Sequence, residues 1–319
     1  MPSFNRTNAP DVYDTRPLWM SMLVYAQNPK SYTQLFYVSN EKAAHVDIIE
    51  FSALGRFRVK PEGTPITYDI PVQGQRRRVT HSTFALGTAM THEAISDAQT
   101  SANGIAALDR QSDGLTRSQL HHEESLNWDL IRGSFTTTLG IDGVAVISTS
   151  HPYLKPPTPG AVRSNRLDPH LPVSYEGVEA MSIIFLNQQS TEGHFIGNDL
   201  DYGYLVVHTN KKYVAANIVD AKGRPGTTNL NDTNQVSRLG LSIVASPYLG
   251  STPTEFEAWW LMGKKGSKTD PGNGWVYNSR ETFRIRNSVD SDTGDKKWGG
   301  WYRGSAYNRQ WENNAGSSL

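Results

Sequence analysis

The chain has 319 residues, and its 31 Lys and Arg residues are balanced by 31 Asp and Glu residues, so the formal net charge is zero. This balance argues against a protein that coats nucleic acid by electrostatic attraction alone, and it leaves self-association without charge repulsion to oppose it. The sequence contains no cysteine, which excludes disulfide scaffolds, cysteine zinc sites and thiol chemistry.

A chain of this length favours about two domains. Apolar residues make up 37% of it, and no apolar run approaches the roughly 18 residues that a membrane-spanning helix needs. The apolar patch at residues 18–26 is preceded by acidic residues and has no convincing cleavage site after it. We interpret it as a docking arm and not as a signal peptide. We therefore expect no membrane partner, and assembly in the cytoplasm.

Residues 1–50 do not begin like a globular domain. Residues 1–17 are polar and interrupted by proline, whereas residues 19–38 carry many large apolar side chains without a clear period. A segment of this kind cannot bury both of its sides by itself. It crosses either the main domain or a neighbouring subunit, and we expect Trp19 to contribute to contacts between subunits.

Residues 54–87 have the pattern of a long β-hairpin. Ile66, Tyr68 and Ile70 alternate with other residues, which indicates a half-buried strand. Prolines within this run restrict the ribbon to an edge position. Because a two-stranded ribbon is marginally stable alone in water, we expect these three side chains to pack on another surface and assign them to contacts between subunits.

Arg76, Arg77 and Arg78 stand near the start of the predicted return strand. A solvated turn explains them, and so does a contact with carboxylates of a neighbouring subunit. Both interpretations stay open at this point. Three arginines are weak support for nucleic-acid binding.

Residues 91–132 predict a long helix, because apolar residues recur at spacings of three and four from Ile95 to Leu108. We expect Thr91 or Ser96 to cap its start. We also expect a break or bend near residues 113–116, where an Asp-Gly pair stands.

Residues 143–275 predict a compact unit of alternating strands and helices. Strands are predicted at residues 143–149, 204–209, 239–249 and 256–263, and helices at residues 173–189 and 210–221, the second capped by Asn210. Residues 263–275 are predicted to be a flexible loop or a hairpin tip. From residue 276 the chain returns to strand character and then ends in a polar tail.

Four short patterns suggest chemistry, and none is complete. Residues 121–124 (His-His-Glu-Glu) lack the spacing of a zinc hydrolase, so we interpret them as a solvated helix face. Residues 199–201 lack the later acidic ligand of a calcium loop, and residues 263–269 lack the spacing of a phosphate loop. Ser148 and His151 are close in sequence, but nothing indicates an orienting acid. We predict no catalytic, cofactor-binding or metal-binding residues.

The region after the long helix carries a specific order of residues. It comprises Leu126-Asn127, Phe135, Gly140, Asp142-Gly143, an apolar run at residues 144–147, Ser148-Thr149 and His151-Pro152. This order resembles the major capsid (head) proteins of tailed bacteriophages, particularly the Mu-like head-subunit group. The resemblance extends over about residues 50–265, where Ser164-Asn165 and a Phe-x-Ala-Trp-Trp strand at residues 256–260 also match.

The resemblance implies an α+β fold, the major capsid protein fold of tailed phages, with four parts. They are an N-terminal arm (1–50), an extended β-hairpin loop (54–87), a peripheral domain with a long spine helix (88–140 and 276–319) and an axial α/β domain (141–275). It explains why arm and ribbon lack internal partners, because other subunits would supply them.

The resemblance also implies a function and partners. The chain would self-assemble as hexamers and pentamers of an icosahedral shell in the virion, enclosing double-stranded DNA without sequence specificity. A separate scaffold protein, a portal and decoration proteins would be its partners. Two alternatives stay open: an encapsulin-like compartment on the same fold, and a soluble hydrolase that uses Ser148 and His151.

Overall fold

The computed structural model describes residues 30–94, 96, 104–197, 202–226 and 232–319. Trp19, most of the predicted arm and the calcium-like residues 199–201 lie outside them. The strands are β1 (Tyr37–Ser39), β2 (His45–Phe51), β3 (Gln73–Thr80), β4 (Ser82–Met90), β5 (His151–Pro152), β6 (Val162–Arg163), β7 (Tyr202–His208), β8 (Ser242–Ser246), β9 (Trp259–Gly263), β10 (Trp275–Val289), β11 (Lys296–Asn308) and β12 (Asn314–Ser317). The α-helices are α1 (Gly104–Arg132), α2 (Tyr175–Leu186) and α3 (Lys212–Asp220). None of the helices among these residues is long and apolar enough to cross a membrane.

The first sheet has the strand order β1-β10-β11-β4 and supports the long helix α1. Strands β10 and β11 form an antiparallel hairpin, and β4 pairs antiparallel with β11. Leu115 of α1 packs with Trp298 of β11 beneath the helix. This contact lies next to Gly114, where we predicted a break or bend, and the helix is continuous there. The predicted break is wrong because packing on the sheet outweighs the roughly 1 kcal/mol that a glycine costs in a helix.

The second sheet has the order β12-β9-β7-β8 and carries helices α2 and α3. The helices and strands predicted at α2, β7, α3, β8 and β9 are confirmed. Ser174 caps α2 by accepting from the Gly177 N–H at 3.0 Å. The predicted cap of α3 is wrong, because Lys211 occupies that position without a side-chain cap and Asn210 lies in a preceding 3₁₀ turn.

Two other local predictions are also wrong. Residues 143–149 form turns and not a strand, although Val146 and Ile147 are fully buried as expected. The predicted polar tail contains β12, whose four residues are all buried against β9. Residues 264–274 join β9 of the second sheet to β10 of the first, so of the two alternatives predicted for this segment the loop is confirmed and the hairpin tip is wrong.

One core joins the two sheets. Four fully buried tryptophans from α1, both sheets and the segment before β12 meet in it: Trp128, Trp260, Trp275 and Trp311. Tyr32, Leu35 and Phe36 belong to the same core, so the described end of the predicted arm lies across its own main domain. The four-part division into arm, loop, peripheral domain and axial domain remains a prediction.

Candidate assembly surface

The ribbon that leaves this body differs from the predicted hairpin. Strand β2 pairs with β3 from His45↔Thr80 to Phe51↔Gln73, and residues 52–72 between them form an extended loop without strand pairing. The strand predicted at residues 66–72 is therefore wrong. Its prolines remove backbone donors that a ladder requires, and no described strand lies opposite it to supply the other half.

The loop exposes a series of large apolar side chains. Tyr68 is 87% exposed, Ile70 is 76% exposed and Ile66 is 64% exposed. Phe57 and Val59, in the first half of the loop, are almost completely exposed. Monomeric soluble proteins rarely leave contiguous apolar surface of this kind in water, and where it occurs it usually marks an interaction site. The site prediction did not include Phe57 and Val59, although their alternation among charged residues in the sequence was the available signal.

Polar contacts hold the loop in this extended position. Asp69 accepts hydrogen bonds from the Gly55 N–H at 2.6 Å and from Lys155 Nζ at 3.1 Å, and these lower the pKa of its carboxyl. Arg56 Nε lies 3.2 Å from His194 Nδ1. Ser52 N–H donates to the Val72 carbonyl at 2.8 Å where the loop begins. The side chains of Asp69 and Arg56 thus tie the loop to the body, while its large apolar side chains face solvent.

The three arginines of β3 have partners in their own chain. Arg76 and Arg78 both pair with Asp47 on β2, with Arg78 Nε 2.8 Å from the carboxylate. The hydrogen bonds from Arg78 and then Arg76 hold the pKa of Asp47 well below its usual range. Arg77 donates to the Leu139 carbonyl, and burial lowers its pKa. Arg76 and Arg78 remain about half exposed, and a contact of the three arginines with a neighbour remains a prediction.

A buried charged cluster lies beneath the base of the ribbon. Glu50 of β2 is 9% exposed. Burial raises the pKa of the Glu50 carboxyl; Asp142 and Glu312 add to this rise and Arg163 opposes it. Burial likewise raises the pKa of Glu312, and Arg163 Nη1 lies 3.4 Å from its Oε1. The ribbon therefore enters the body at a site where acidic groups outnumber basic ones.

The His-His-Glu-Glu face of α1 is exposed in its first half only, so the predicted surface interpretation is wrong for Glu123 and Glu124. Glu123 is 3% exposed, with Lys30 Nζ at 2.9 Å, and it also accepts hydrogen bonds from Tyr32 and Gln119. Glu124 accepts from Trp128 Nε1 at 2.9 Å. These carboxylates attach the segment before β1 to the helix, a partnership that the helix sequence alone does not reveal.

Ser148 and His151 do not form a catalytic pair in this structure. His151 is fully buried, with Nδ1 2.6 Å from Asp142 Oδ2 and Nε2 3.2 Å from Asn165 Oδ1. Its ring stacks on Trp311 at a centroid distance of 3.6 Å. The Ser148 hydroxyl lies 3.2 Å from that of Ser150. Asp142 is in the position of an orienting acid, but both ring nitrogens of His151 contact polar groups inside the segment after α1. No group of three potential metal-binding side chains occurs among the described residues.

Comparisons with known proteins agree with this architecture. A family model described as phage capsid protein matches residues 75–311, which is well over half of the chain. The fold is similar to the procapsid of bacteriophage JBD30, with a TM-score of 0.51 and 12% identity over 97% of this chain and 75% of that chain. It is also similar to the bacteriophage PhiM1 mature capsid, with a TM-score of 0.56 and 10% identity over 92% and 88% of the two chains.

A third similar structure is the holo-SrpI encapsulin complex from Synechococcus elongatus PCC 7942, with a TM-score of 0.52 and 8% identity over 91% of this chain and 87% of that chain. Comparison with curated proteins gives no match. At these sequence identities, the structural similarity shows the fold alone. The match to the family model shows to which family the chain belongs. The chain belongs to the phage capsid protein family, as a major capsid protein of the head shell.

Proposed function

We propose that the extended loop at residues 52–72 is the main contact by which this capsid protein joins its neighbours. The observation that carries the proposal is the exposure of Tyr68 and Ile70 on a loop that the contact of Asp69 with Lys155 ties to the body. Burying one such side chain contributes about 1.5–3 kcal/mol. Repeated around a closed shell, contacts of this size stabilise the assembly without covalent links.

The complete proposal is an icosahedral head of hexamers and pentamers that encloses double-stranded DNA without sequence specificity. A separate scaffold protein, a portal and decoration proteins would be partners, with assembly in the host cytoplasm. The zero net charge supports packing beside DNA without tight binding. The ordered residues from Leu126 to Pro152 support membership of the Mu-like head-subunit group. The role is structural and requires no catalysis. Trp19 and the arginines of β3 remain proposed contacts between subunits.

Substitution in the loop tests this proposal directly. The double variant Tyr68→Ser with Ile70→Ser removes apolar surface that no described residue of the same chain covers, so the subunit should fold normally. It should fail to form closed shells in electron microscopy and light scattering of the expressed protein, with a scaffold co-expressed. Glu62→Ser at the exposed tip of the same loop is the matched control and should assemble. If the double variant formed normal shells, the loop would not be the main contact between subunits.

An encapsulin-like compartment is the second candidate, favoured by the similarity to the SrpI complex. The two functions use the same shell and differ in its contents. Nuclease-protected DNA inside purified particles would support the phage head. A cargo protein without DNA would support the compartment.

A further inference from the structure

An apolar groove opens between α1 and the outer half of the first sheet. It is a cavity of about 440 Å³. Its walls are Phe84, Leu86, Phe283 and Leu115, and Gln119 and His122 lie at its polar rim. Leu86 is 55% exposed although it faces this groove and not the outer surface of the sheet. A cavity of this size accommodates a few large side chains.

The described chain begins beside this groove. Lys30 Nζ is bound at 2.9 Å by Glu123 of α1, and Glu123 also accepts a hydrogen bond from Gln119 at the rim. Gln119 and Glu123 are four residues apart on the helix, a rise of about 6 Å. The described chain therefore begins at a residue whose side chain binds α1 one helical turn from Gln119.

The 29 residues before Lys30 include a segment of matching chemistry. Residues 22–25 are Met, Leu, Val and Tyr. Four chain steps separate Ala26 from Lys30, and they span at most about 14 Å when extended, which is more than the rise of about 6 Å between Glu123 and Gln119. A tyrosine at the end of this segment can bury its ring and keep its hydroxyl at a polar edge, as the rim of this groove offers.

We propose that residues 22–25 dock in this groove of their own chain and cover Leu86. The inference concerns the single subunit and does not depend on the assembly function. Docking there would fix the direction in which the rest of the arm leaves the subunit. Trp19 lies beyond the docked residues and stays available for the contact with a neighbour.

Disulfide trapping tests the docking, because the chain has no native cysteine and an introduced pair has no competitor. Leu86→Cys is combined in turn with Met22→Cys, Leu23→Cys, Val24→Cys and Tyr25→Cys in the full-length chain. A bond forms readily only when the two Cα atoms are about 4.4–6.8 Å apart. One or two of the four pairs should oxidise within a single chain, as measured by thiol counting and mass spectrometry of unassembled subunits and of shells.

Ile183→Cys on α2 is the matched control, because Ile183 is 53% exposed and lies outside the groove lining. Combined with the same four cysteines, it should remain reduced. No disulfide at Leu86→Cys, equal yields at both positions, or bonds formed only between chains would each overturn the proposal. The last outcome would move the arm to the groove of a second copy.

A second measurement leaves the groove unmodified. Removal of residues 1–26 should make amide hydrogen exchange in β4 about tenfold faster, because the covering segment is gone. Strand β8 in the second sheet should exchange at the same rate with and without the arm. Unchanged exchange in β4 would contradict docking.

Discussion

At the residue scale, one asparagine joins three separate segments of the core. Asn165 accepts from the Ser148 N–H at 2.8 Å and donates to the carbonyls of Val146 at 2.7 Å and Asn314 at 2.8 Å. It is fully buried. Its side chain therefore links the turn after α1 to β12 at the end of the chain, and its two bonds to carbonyls are buried.

Replacing this side chain should be costly. Asn165→Ala leaves one buried donor and two buried acceptors without these hydrogen bonds, and we expect a loss of about 3 kcal/mol in the free energy of unfolding. Urea denaturation of unassembled subunits at fixed concentration measures it. Ser164→Ala, at the exposed neighbour, should change the same quantity by no more than about 0.5 kcal/mol. Equal effects of the two variants would contradict the assigned role.

The buried Glu50 predicts a defined pH dependence. Because burial raises the pKa of this carboxyl in the folded chain, its stabilising contribution is complete below the unfolded pKa and is lost as pH rises through the folded pKa. Glu50→Gln is neutral throughout. The stability of the variant relative to the unsubstituted chain should therefore increase as pH rises from about 4 to 7, in urea denaturation at each pH.

Asp69 provides a control, because its substitution should change the relative stability with pH in the opposite direction. The Gly55 N–H and Lys155 lower the pKa of its carboxyl, so its contribution is present above the unfolded pKa and is lost as pH falls through the folded pKa. Asp69→Asn should become relatively less stable as pH rises, by a small amount because the side chain is exposed. If the relative stability of both variants changed with pH in the same direction, these two carboxyls would not be the origin of the pH dependence.

At the element scale, the segment before β1 and helix α1 act as one unit. Lys30, Tyr32 and Ser31 all meet the carboxylates of Glu123 and Glu124. Tyr32 also packs edge-to-face on Tyr277 at 5.5 Å, which connects the segment to the first sheet. These contacts hold Lys30, where the described chain begins, against α1.

Two acidic residues of α1 distinguish a buried contact from a surface one. Glu123→Ala removes the acceptor of three side chains and should cost about 3 kcal/mol, with faster amide exchange at residues 31–39. Asp129→Ala breaks only an exposed pair with Arg132 at 3.2 Å and should cost about 0.5 kcal/mol or less. Chemical denaturation and hydrogen exchange test both variants. A tightly bound segment in the Glu123 variant would contradict this attachment.

At the scale of the whole molecule, the most prominent feature of the described residues is exposed apolar surface and not a catalytic site. The loop at residues 52–72 exposes large apolar side chains, and balanced charge leaves no long-range repulsion between copies. Of the two residues that could suggest a hydrolase, His151 is fully buried, with its ring stacked on Trp311. The molecule is organised for contact with further copies of itself.

The particle itself provides the test at this scale. Ser148→Ala should leave the mass and yield of particles unchanged in light scattering and electron microscopy, because the Ser148 hydroxyl contacts only local groups among the described residues. Small, non-particulate species from the unsubstituted chain under all conditions, including with a co-expressed scaffold, would contradict the assembly function. Turnover of a substrate that is lost in Ser148→Ala would instead favour the hydrolase alternative.

The sequence by itself determined the elements whose apolar period is local. Helix α2 and strands β7 and β9 follow from side-chain spacing within a few residues, because each has one side or both sides buried in a continuous core. It also determined the long helix and, through ordered motifs, the family. These features could be predicted because each depends on residues that are close to one another in the sequence.

Only the tertiary structure decided which polar and apolar groups are covered. The partner of Glu123 is Lys30, 93 residues away, and the pairing of β12 with β9 gives an apparently polar tail a buried position. The alternating residues around Tyr68 have a strand pattern, but no strand lies opposite them in the part of the chain that the structure describes. Burial depends on neighbours that are distant in sequence, and pairing requires a second backbone, so neither can be read from local period alone.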